Sequence, residues 1–116
     1  MKLIGSKAEQ ECRDELLASH EFHFSMNAQS RLKEVLQCAG YRTDNAFILH
    51  WTPDQSEDYY TVLIEGKFLV AVEIDRCGNE IEPIIERHEL TAYLKGLSRM
   101  YQIRLLVAQG LVNEKT

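Results

Sequence analysis

Residues 59–75 have the sequence YYTVLIEGKFLVAVEID, two runs of β-branched, aromatic and aliphatic residues separated by a Gly-Lys pair. Such residues favour strands, and glycine in the first loop position suits a two-residue type II′ hairpin. This turn would pair Glu65 with Phe68. The segment therefore predicts an antiparallel hairpin whose successive side chains alternate between the two faces of a sheet.

Both faces of this hairpin are apolar near the turn. The predicted register places Tyr59, Thr61, Leu63, Val70, Val72 and Ile74 on one face, and Tyr60, Val62, Ile64, Leu69, Ala71 and Glu73 on the other. A sheet with one solvated face would alternate between apolar and polar residues. We therefore expect the second face to be covered as well, by another helix, by the N-terminal segment or by a second copy of the protein.

The residues around the hairpin extend the sheet and add a C-terminal helix. FILHW, residues 47–51, predicts a strand before the hairpin, and residues 80–85 predict a fourth strand that Pro83 confines to an edge. Over residues 88–109 the apolar positions follow a helical period and form a wide face, and Gly110 predicts the end of this helix. We expect the long helix to pack on the sheet.

Two helices are predicted before the sheet. Residues 6–9 have the S-x-x-E form of a capping box, and a narrow apolar stripe predicts a surface helix over residues 7–19. Asn27 is the predicted cap of a second, strongly periodic helix, and Gly40 is its predicted left-handed stop. The sequence thus predicts one α+β domain over residues 1–116, with two N-terminal helices, a three- to four-stranded antiparallel meander and a long C-terminal helix.

The composition is that of a globular domain, and the net charge is negative. Of the 116 residues, 45% are hydrophobic and 27% are charged, and the formal net charge is -5 at pH 7. An acidic protein repels phosphate backbones and attracts basic proteins, so the charge disfavours nucleic-acid binding and favours a basic protein partner. Because there is no apolar leader and no stretch long enough for a membrane span, we expect a cytoplasmic protein with no membrane segment.

The segment HEFHF, residues 20–24, raises the question of a metal site. Its H-E-x-H spacing is one residue shorter than the zinc motif H-E-x-x-H, in which two histidines share one face of a helix. We interpret the segment as extended, so that its two phenylalanines help to cover the sheet and His23 faces water or a partner. His20 and His23 are therefore only weak candidates for metal ligands, and no metal or cofactor is expected.

An acidic loop is predicted over residues 52–58, TPDQSED, with aromatic residues at its base. Aromatic side chains beside charged ones are typical of protein interfaces. The candidate binding residues are Trp51, Asp54, Glu57, Asp58, Tyr59 and Tyr60. The alternative is a solvated loop between two strands with its aromatic residues in the core, because strands favour aromatic residues whether or not they bind anything.

A second candidate site lies between the sheet and the long helix. Aromatic residues could line a pocket there, with a histidine as its polar group. Its candidate residues are His50, His88, Tyr93 and Tyr101. This arrangement would suit a small-ligand-binding domain or a small enzyme.

No phosphate-binding loop, nucleophile elbow or paired catalytic carboxylates occur in the sequence. The leading hypothesis is therefore a small acidic binding or regulatory protein rather than an enzyme, acting on a protein partner and forming a homodimer. Immunity proteins, antitoxins and secretion chaperones have this general build, an analogy of size and charge alone.

Overall fold

A four-stranded antiparallel sheet is covered by helices on both faces, by the second helix on one face and by the first and last helices on the other. The computed structural model describes residues 7–25, 28, 30–54, 56–75, 82–90 and 99–115. The elements are α1 (Lys7–Phe24), α2 (Arg31–Cys38), β1 (Ala46–Pro53), β2 (Glu57–Ile64), β3 (Phe68–Asp75), β4 (Ile84–Glu89) and α3 (Arg99–Lys115). The predicted α+β architecture is confirmed, whereas the predicted caps at Ser6 and Asn27 lie outside the described residues.

The strands form a meander in the order β1-β2-β3-β4, each antiparallel to the next. The fourth strand is shifted from the prediction, since it covers Ile84–Glu89 instead of residues 80–85. Pro83 stands just before the first paired residue, where its missing N–H breaks no ladder bond. His88 pairs with Leu69 in this strand, so the predicted start of the long helix at residue 88 is wrong.

The turn between β2 and β3 differs from the predicted two-residue hairpin. Ile64 pairs with Phe68, which leaves a three-residue loop, and the Lys67 N–H donates to the Ile64 carbonyl at 3.0 Å. Glu65 and Gly66 have φ values of 53° and 70°. Two left-handed residues in succession are the pattern of a type I′ turn rather than a type II′ turn. The extra loop residue shifts the register by one and changes which residues share a face.

Each face of the sheet has its own hydrophobic core. The α2 face carries Ile48, Val62, Ile64, Val70, Val72 and Ile74, packed with Phe24 and the buried residues of α2, namely Leu32, Val35 and Leu36. The α1/α3 face carries Phe47, Leu49, Leu63 and Leu69, packed with Cys12, Leu16, Leu105, Ala108, Leu111 and Val112. The predicted division of β2 and β3 between faces is therefore wrong. The prediction that both faces are covered is confirmed, and the chain's own helices supply the cover.

Helix α1 is longer and more buried than predicted. It continues beyond Ser19 to Phe24, so HEFHF is helical and its interpretation as an extended segment is wrong. Residues spaced by four lie on one side of a helix, and here they form a buried stripe. This stripe consists of Cys12, Leu16, His20 and Phe24. Packing of the stripe on the sheet outweighs the weak helix propensity of the phenylalanines and histidines.

Helix α2 begins at Arg31, later than predicted. Ser30 is its N-cap, and its Oγ accepts a hydrogen bond from the Lys33 N–H at 3.3 Å. Ala28 precedes the helix and does not belong to it. The predicted stop is confirmed, since Gly40 has a φ of 91° and follows the C-cap residue.

Helix α3 continues through Gly110 to Lys115, so the prediction that Gly110 ends the helix is wrong. Gly110 has no positive φ, and the next two residues, Leu111 and Val112, are buried in the core of the α1/α3 face. Two ion pairs join α3 to α1: Arg13 with Glu114 and Arg104 with Glu15, both at 2.7 Å. Burial of Leu111 and Val112 stabilises the helical conformation beyond Gly110.

Replacement of Gly110 by alanine is expected to raise the free energy of unfolding by about 0.5–1 kcal/mol, because alanine restricts the unfolded chain more than glycine does. Gly110 is exposed, and an added Cβ would have no atom within 4 Å. Gly40→Ala is the matched control. Its left-handed φ of 91° should make alanine destabilising. Urea unfolding of both variants tests this, and a Gly110→Ala variant less stable than wild type would contradict a continuous α3.

Candidate functional site

Four aromatic rings make consecutive contacts across the surface of the α2 face. The ring centroids of Phe22 and His23 lie 4.9 Å apart, those of His23 and Tyr60 lie 5.9 Å apart, and those of Tyr60 and Trp51 lie 6.4 Å apart. We call this row of four residues the aromatic ladder. It joins the end of α1 to the β1–β2 hairpin, so it combines two segments that are separate in the sequence.

A β-bulge in β1 directs Trp51 to this face. Ile48 pairs with Val62 and His50 with Thr61, so Leu49 is an extra residue in the strand. Because the bulge reverses the alternation, Trp51 pairs with Tyr60 on the α2 face instead of sharing the face of Leu49. The Leu49 carbonyl accepts a hydrogen bond from Arg104 Nε at 2.8 Å, which links α3 to the bulge.

Hydrogen bonding orients the exposed end of the ladder. The Trp51 Nε1–H donates to Asp58 Oδ1 at 3.2 Å, and the planes of the Trp51 and Tyr60 rings differ by only 12°. Since the edge of the indole is bonded and its side chain is 55% exposed, a ring face is open to a ligand. At the other end Phe22 is 75% exposed. Single exposed apolar residues are common, but a contiguous exposed patch of them marks an interaction site, and the ladder connects these two exposed rings.

A cleft of about 320 Å³ lies beside the ladder. Its lining residues include Phe22, His23 and Tyr60 of the ladder, the acidic residues Asp58 and Asp75, and residues near the start of α2 such as Arg31. Aromatic rings and carboxylates in one cleft offer both apolar contact and negative charge. Such a site can bind an extended segment of a protein that carries a cation.

His23 occupies the middle of the ladder as a half-buried polar group. Its Nδ1 lies 3.1 Å from the Oγ of Ser30, the residue that caps α2. Burial lowers the pKa of the His23 imidazole from its ordinary value of 6.5. The ring is therefore neutral at pH 7 and adds no positive charge to the cleft.

This shift in pKa predicts a stability change with pH. The unfolded chain binds a proton at His23 near pH 6.5, whereas the folded chain binds it only at a lower pH. Protons therefore favour the unfolded chain as the pH falls, and the contribution of His23 to the free energy of unfolding decreases below about pH 6.5. His23→Gln lacks the titrating group. Chemical unfolding between about pH 7.5 and pH 5.5 should show a steeper loss of stability for wild type than for this variant, and parallel curves would contradict the prediction.

The structure separates the six predicted binding residues. Trp51, Asp58 and Tyr60 belong to the α2 face, whereas Tyr59 lies on the opposite face and its hydroxyl donates to Glu57 Oε2 at 2.7 Å. This hydrogen bond to a carboxylate is the main cause that raises the pKa of Tyr59 to about 12.

The predicted seven-residue acidic loop is a tight hairpin connection. β1 extends to Pro53, and β2 begins at Glu57. The Asp54 N–H donates to the Glu57 carbonyl at 2.8 Å, which closes the hairpin. The acidic residues of this segment are therefore held on or next to paired strands, and Asp58 gains a fixed position beside Trp51.

The residues of the alternative pocket are not brought together by the described structure. His50 lies on β1 and His88 on β4, the two outer strands of the described sheet. His50 Nε2 lies 3.0 Å from the Thr52 hydroxyl. Tyr93 and the side chain of Tyr101 lie outside the described residues, so a ligand pocket beneath the C-terminal helix stays a prediction.

The two histidines of HEFHF contact different surroundings. His20 Nδ1 lies 2.6 Å from the Ala46 carbonyl, and its ring lies 5.0 Å from that of Phe47, whereas His23 belongs to the ladder. The described residues contain no cluster of three or more His, Cys, Asp or Glu side chains that could hold a metal ion. In the same part of the chain, no helix has the length and hydropathy that crossing a membrane requires.

Comparison with protein-family models, with curated proteins and with solved structures finds no match to this chain. The chemistry of the ladder and its cleft is therefore the basis for a functional proposal. Sequence reasoning found Trp51, Asp58 and Tyr60 but missed Phe22 and Asp75. The four-residue spacing from Cys12 to Phe24 was the signal that could have shown HEFHF to be helical.

Proposed function

We propose that this chain is a small binding protein that recognises a segment of a protein partner at the aromatic ladder. The observation that supports the proposal is the continuous row of ring contacts between Phe22 and Trp51, both largely exposed. Trp and Tyr are the residues that most often carry the binding energy of protein interfaces. A protein that acts by binding can regulate its partner by covering part of the partner's surface. The proposal therefore includes a regulatory role.

The acidic charge supports a protein partner over a nucleic acid. The net charge of -5 repels phosphate groups, and two aspartates line the cleft beside the ladder. Electrostatic attraction of a basic protein would increase the rate of encounter. We place this interaction in the cytoplasm.

The proposal also includes self-association, which does not depend on the aromatic ladder. The sequence predicts a homodimer because a second copy of the protein could cover the second apolar face of the sheet. In the structure, α1 and α3 of the same chain cover that face. The remaining support is β4, an outer strand of the described sheet with Ile84 59% exposed. Pairing of two β4 strands would continue the sheet across a dimer. Native mass spectrometry gives the subunit number, and a strict monomer would contradict this part of the proposal.

Capture of a partner from a lysate of the source organism tests the function. The double variant Phe22→Ser/Trp51→Ser removes the exposed ends of the ladder and should reduce the recovery of a specific partner by roughly tenfold or more. The matched control is Tyr59→Ser/Leu106→Ser, which removes two exposed hydrophobic residues, 36% and 57% exposed, on the opposite face of the sheet and on α3. Equal recovery by the two double variants would contradict binding at the ladder.

A further inference from the structure

The cleft beside the ladder combines aromatic surface with negative charge. Phe22, His23 and Tyr60 of the ladder line it, and Asp58, which pairs with Ile74 on the α2 face, lines it with an acidic side chain. A guanidinium group is planar, stacks on aromatic faces and donates paired hydrogen bonds to carboxylates. The lining therefore matches the chemistry of an arginine side chain.

The strands around the cleft contain almost no competing cations. No Lys or Arg occurs between Thr43 and Gly66. Of the five acidic residues in this segment, Asp44 and Glu65 pair with Arg42, whereas Asp54, Glu57 and Asp58 belong to the β1–β2 hairpin. Arg31 also lines the cleft. Lys33 lies in the same helix, but its Nζ donates to the Ser25 carbonyl at 2.8 Å and is directed to the chain entering α2. The acidic hairpin beside Trp51 therefore favours a positively charged ligand at this end of the ladder, away from Arg31.

The same sheet face already holds one arginine in this way. The guanidinium carbon of Arg87 lies 3.8 Å from the centroid of the Phe68 ring, and Phe68 belongs to the α2 face. Trp51 offers a better cation-binding ring than Phe68, and its nearly parallel neighbour Tyr60 extends the aromatic surface. Asp58 holds the edge of the Trp51 indole, so that a carboxylate and an exposed ring face are adjacent.

We infer that the partner of this protein inserts an arginine side chain at the ladder, where the guanidinium stacks on the Trp51–Tyr60 rings and pairs with Asp58. This inference rests on the proposed function and adds the chemical class of the partner segment. Arginine is favoured over lysine because a compact ammonium group cannot stack its charge along two ring faces or bind carboxylates through a planar fork.

Peptide titration tests the inference directly. Trp51 is the only tryptophan of the chain, so its fluorescence reports on the site itself. The probes are acetylated and amidated hexapeptides of alternating glycine with arginine, lysine or citrulline, the last being the uncharged counterpart of arginine. The arginine peptide should give a saturable change in Trp51 fluorescence, with weaker binding at higher salt. Binding of the lysine peptide should be several-fold weaker, and the citrulline peptide should give no saturable change.

Matched charge variants locate the binding. Asp58→Asn should weaken binding of the arginine peptide by roughly tenfold, since it removes the charge of the hydrogen-bond acceptor beside Trp51. Glu86→Gln changes the net charge equally at an exposed position outside the cleft lining and should leave the affinity close to that of wild type. Circular dichroism checks that both variants are folded. If the cleft variant fails to fold, the comparison of arginine and citrulline peptides on wild-type protein decides the matter.

Two results would overturn the inference: equal binding of the arginine and citrulline peptides, or equal affinities of the two charge variants. The inference and the proposed function fail separately. If partner capture depends on Phe22 and Trp51 but the arginine peptide does not bind, the ladder binds a partner without an arginine and only the inference is wrong. If capture does not depend on these residues, the proposed function is wrong.

Discussion

Replacement of Phe47 by alanine is expected to lower the free energy of unfolding by about 3–5 kcal/mol. Phe47 is completely buried on the α1/α3 face, where α1 and α3 both pack on β1. Removal of its ring deletes contacts with both helices and leaves a cavity that the surrounding close-packed side chains can fill only in part. The same substitution removes the ring against which His20 packs at 5.0 Å.

Phe22→Ala is the matched control for Phe47→Ala. It makes the same chemical change at a side chain that is 75% exposed, and it should alter stability by less than about 0.5 kcal/mol. Guanidinium unfolding of wild type and both variants gives the comparison. Because a small domain has only about 5–15 kcal/mol of stability, Phe47→Leu is a milder variant to use if Phe47→Ala does not fold. Equal losses for Phe22→Ala and Phe47→Ala would contradict the described core.

The sequence predicted the sheet well but could not determine its register. The runs on either side of Gly66 are apolar on both faces, so a shift by one residue exchanges one apolar set for another. Glycine in the turn suggested a two-residue loop, whereas the structure places Glu65 in a left-handed conformation that non-glycine residues seldom adopt. The preference of Gly66 for turns therefore did not determine which residues of β2 and β3 form the first pair.

Only part of the candidate site could be predicted from the sequence, because the rest depends on tertiary packing. The aromatic and acidic residues near Trp51 are neighbours in the sequence, so their pattern was visible. The ladder also needs Phe22 and His23 from α1, and these reach Tyr60 only through the tertiary packing of α1 on the sheet. The bulge at Leu49, which turns Trp51 to the α2 face, has no glycine to mark it in the sequence.

Replacement of His20 by leucine is expected to lower the free energy of unfolding by about 1–3 kcal/mol. A carbonyl oxygen can only accept a hydrogen bond, so the Nδ1 of His20 must carry the proton that it shares with Ala46 at 2.6 Å. His20 is 8% exposed and Ala46 is fully buried. Leucine fills much of the same space but cannot donate, so the buried carbonyl loses this hydrogen bond.

His23→Leu is the matched control, because His23 lies three residues further along α1 and is half-buried in the ladder. Its Nδ1 contacts the Ser30 hydroxyl, which also accepts from the Lys33 N–H, so the loss of stability should be smaller than for His20→Leu. Hydrogen exchange at residues 20–24 and urea unfolding measure the two effects. Faster exchange in His20→Leu alone would assign the two histidines separate roles: His20 holds α1 to β1, and His23 belongs to the binding surface. A loss from His23→Leu as large as that from His20→Leu would contradict this division.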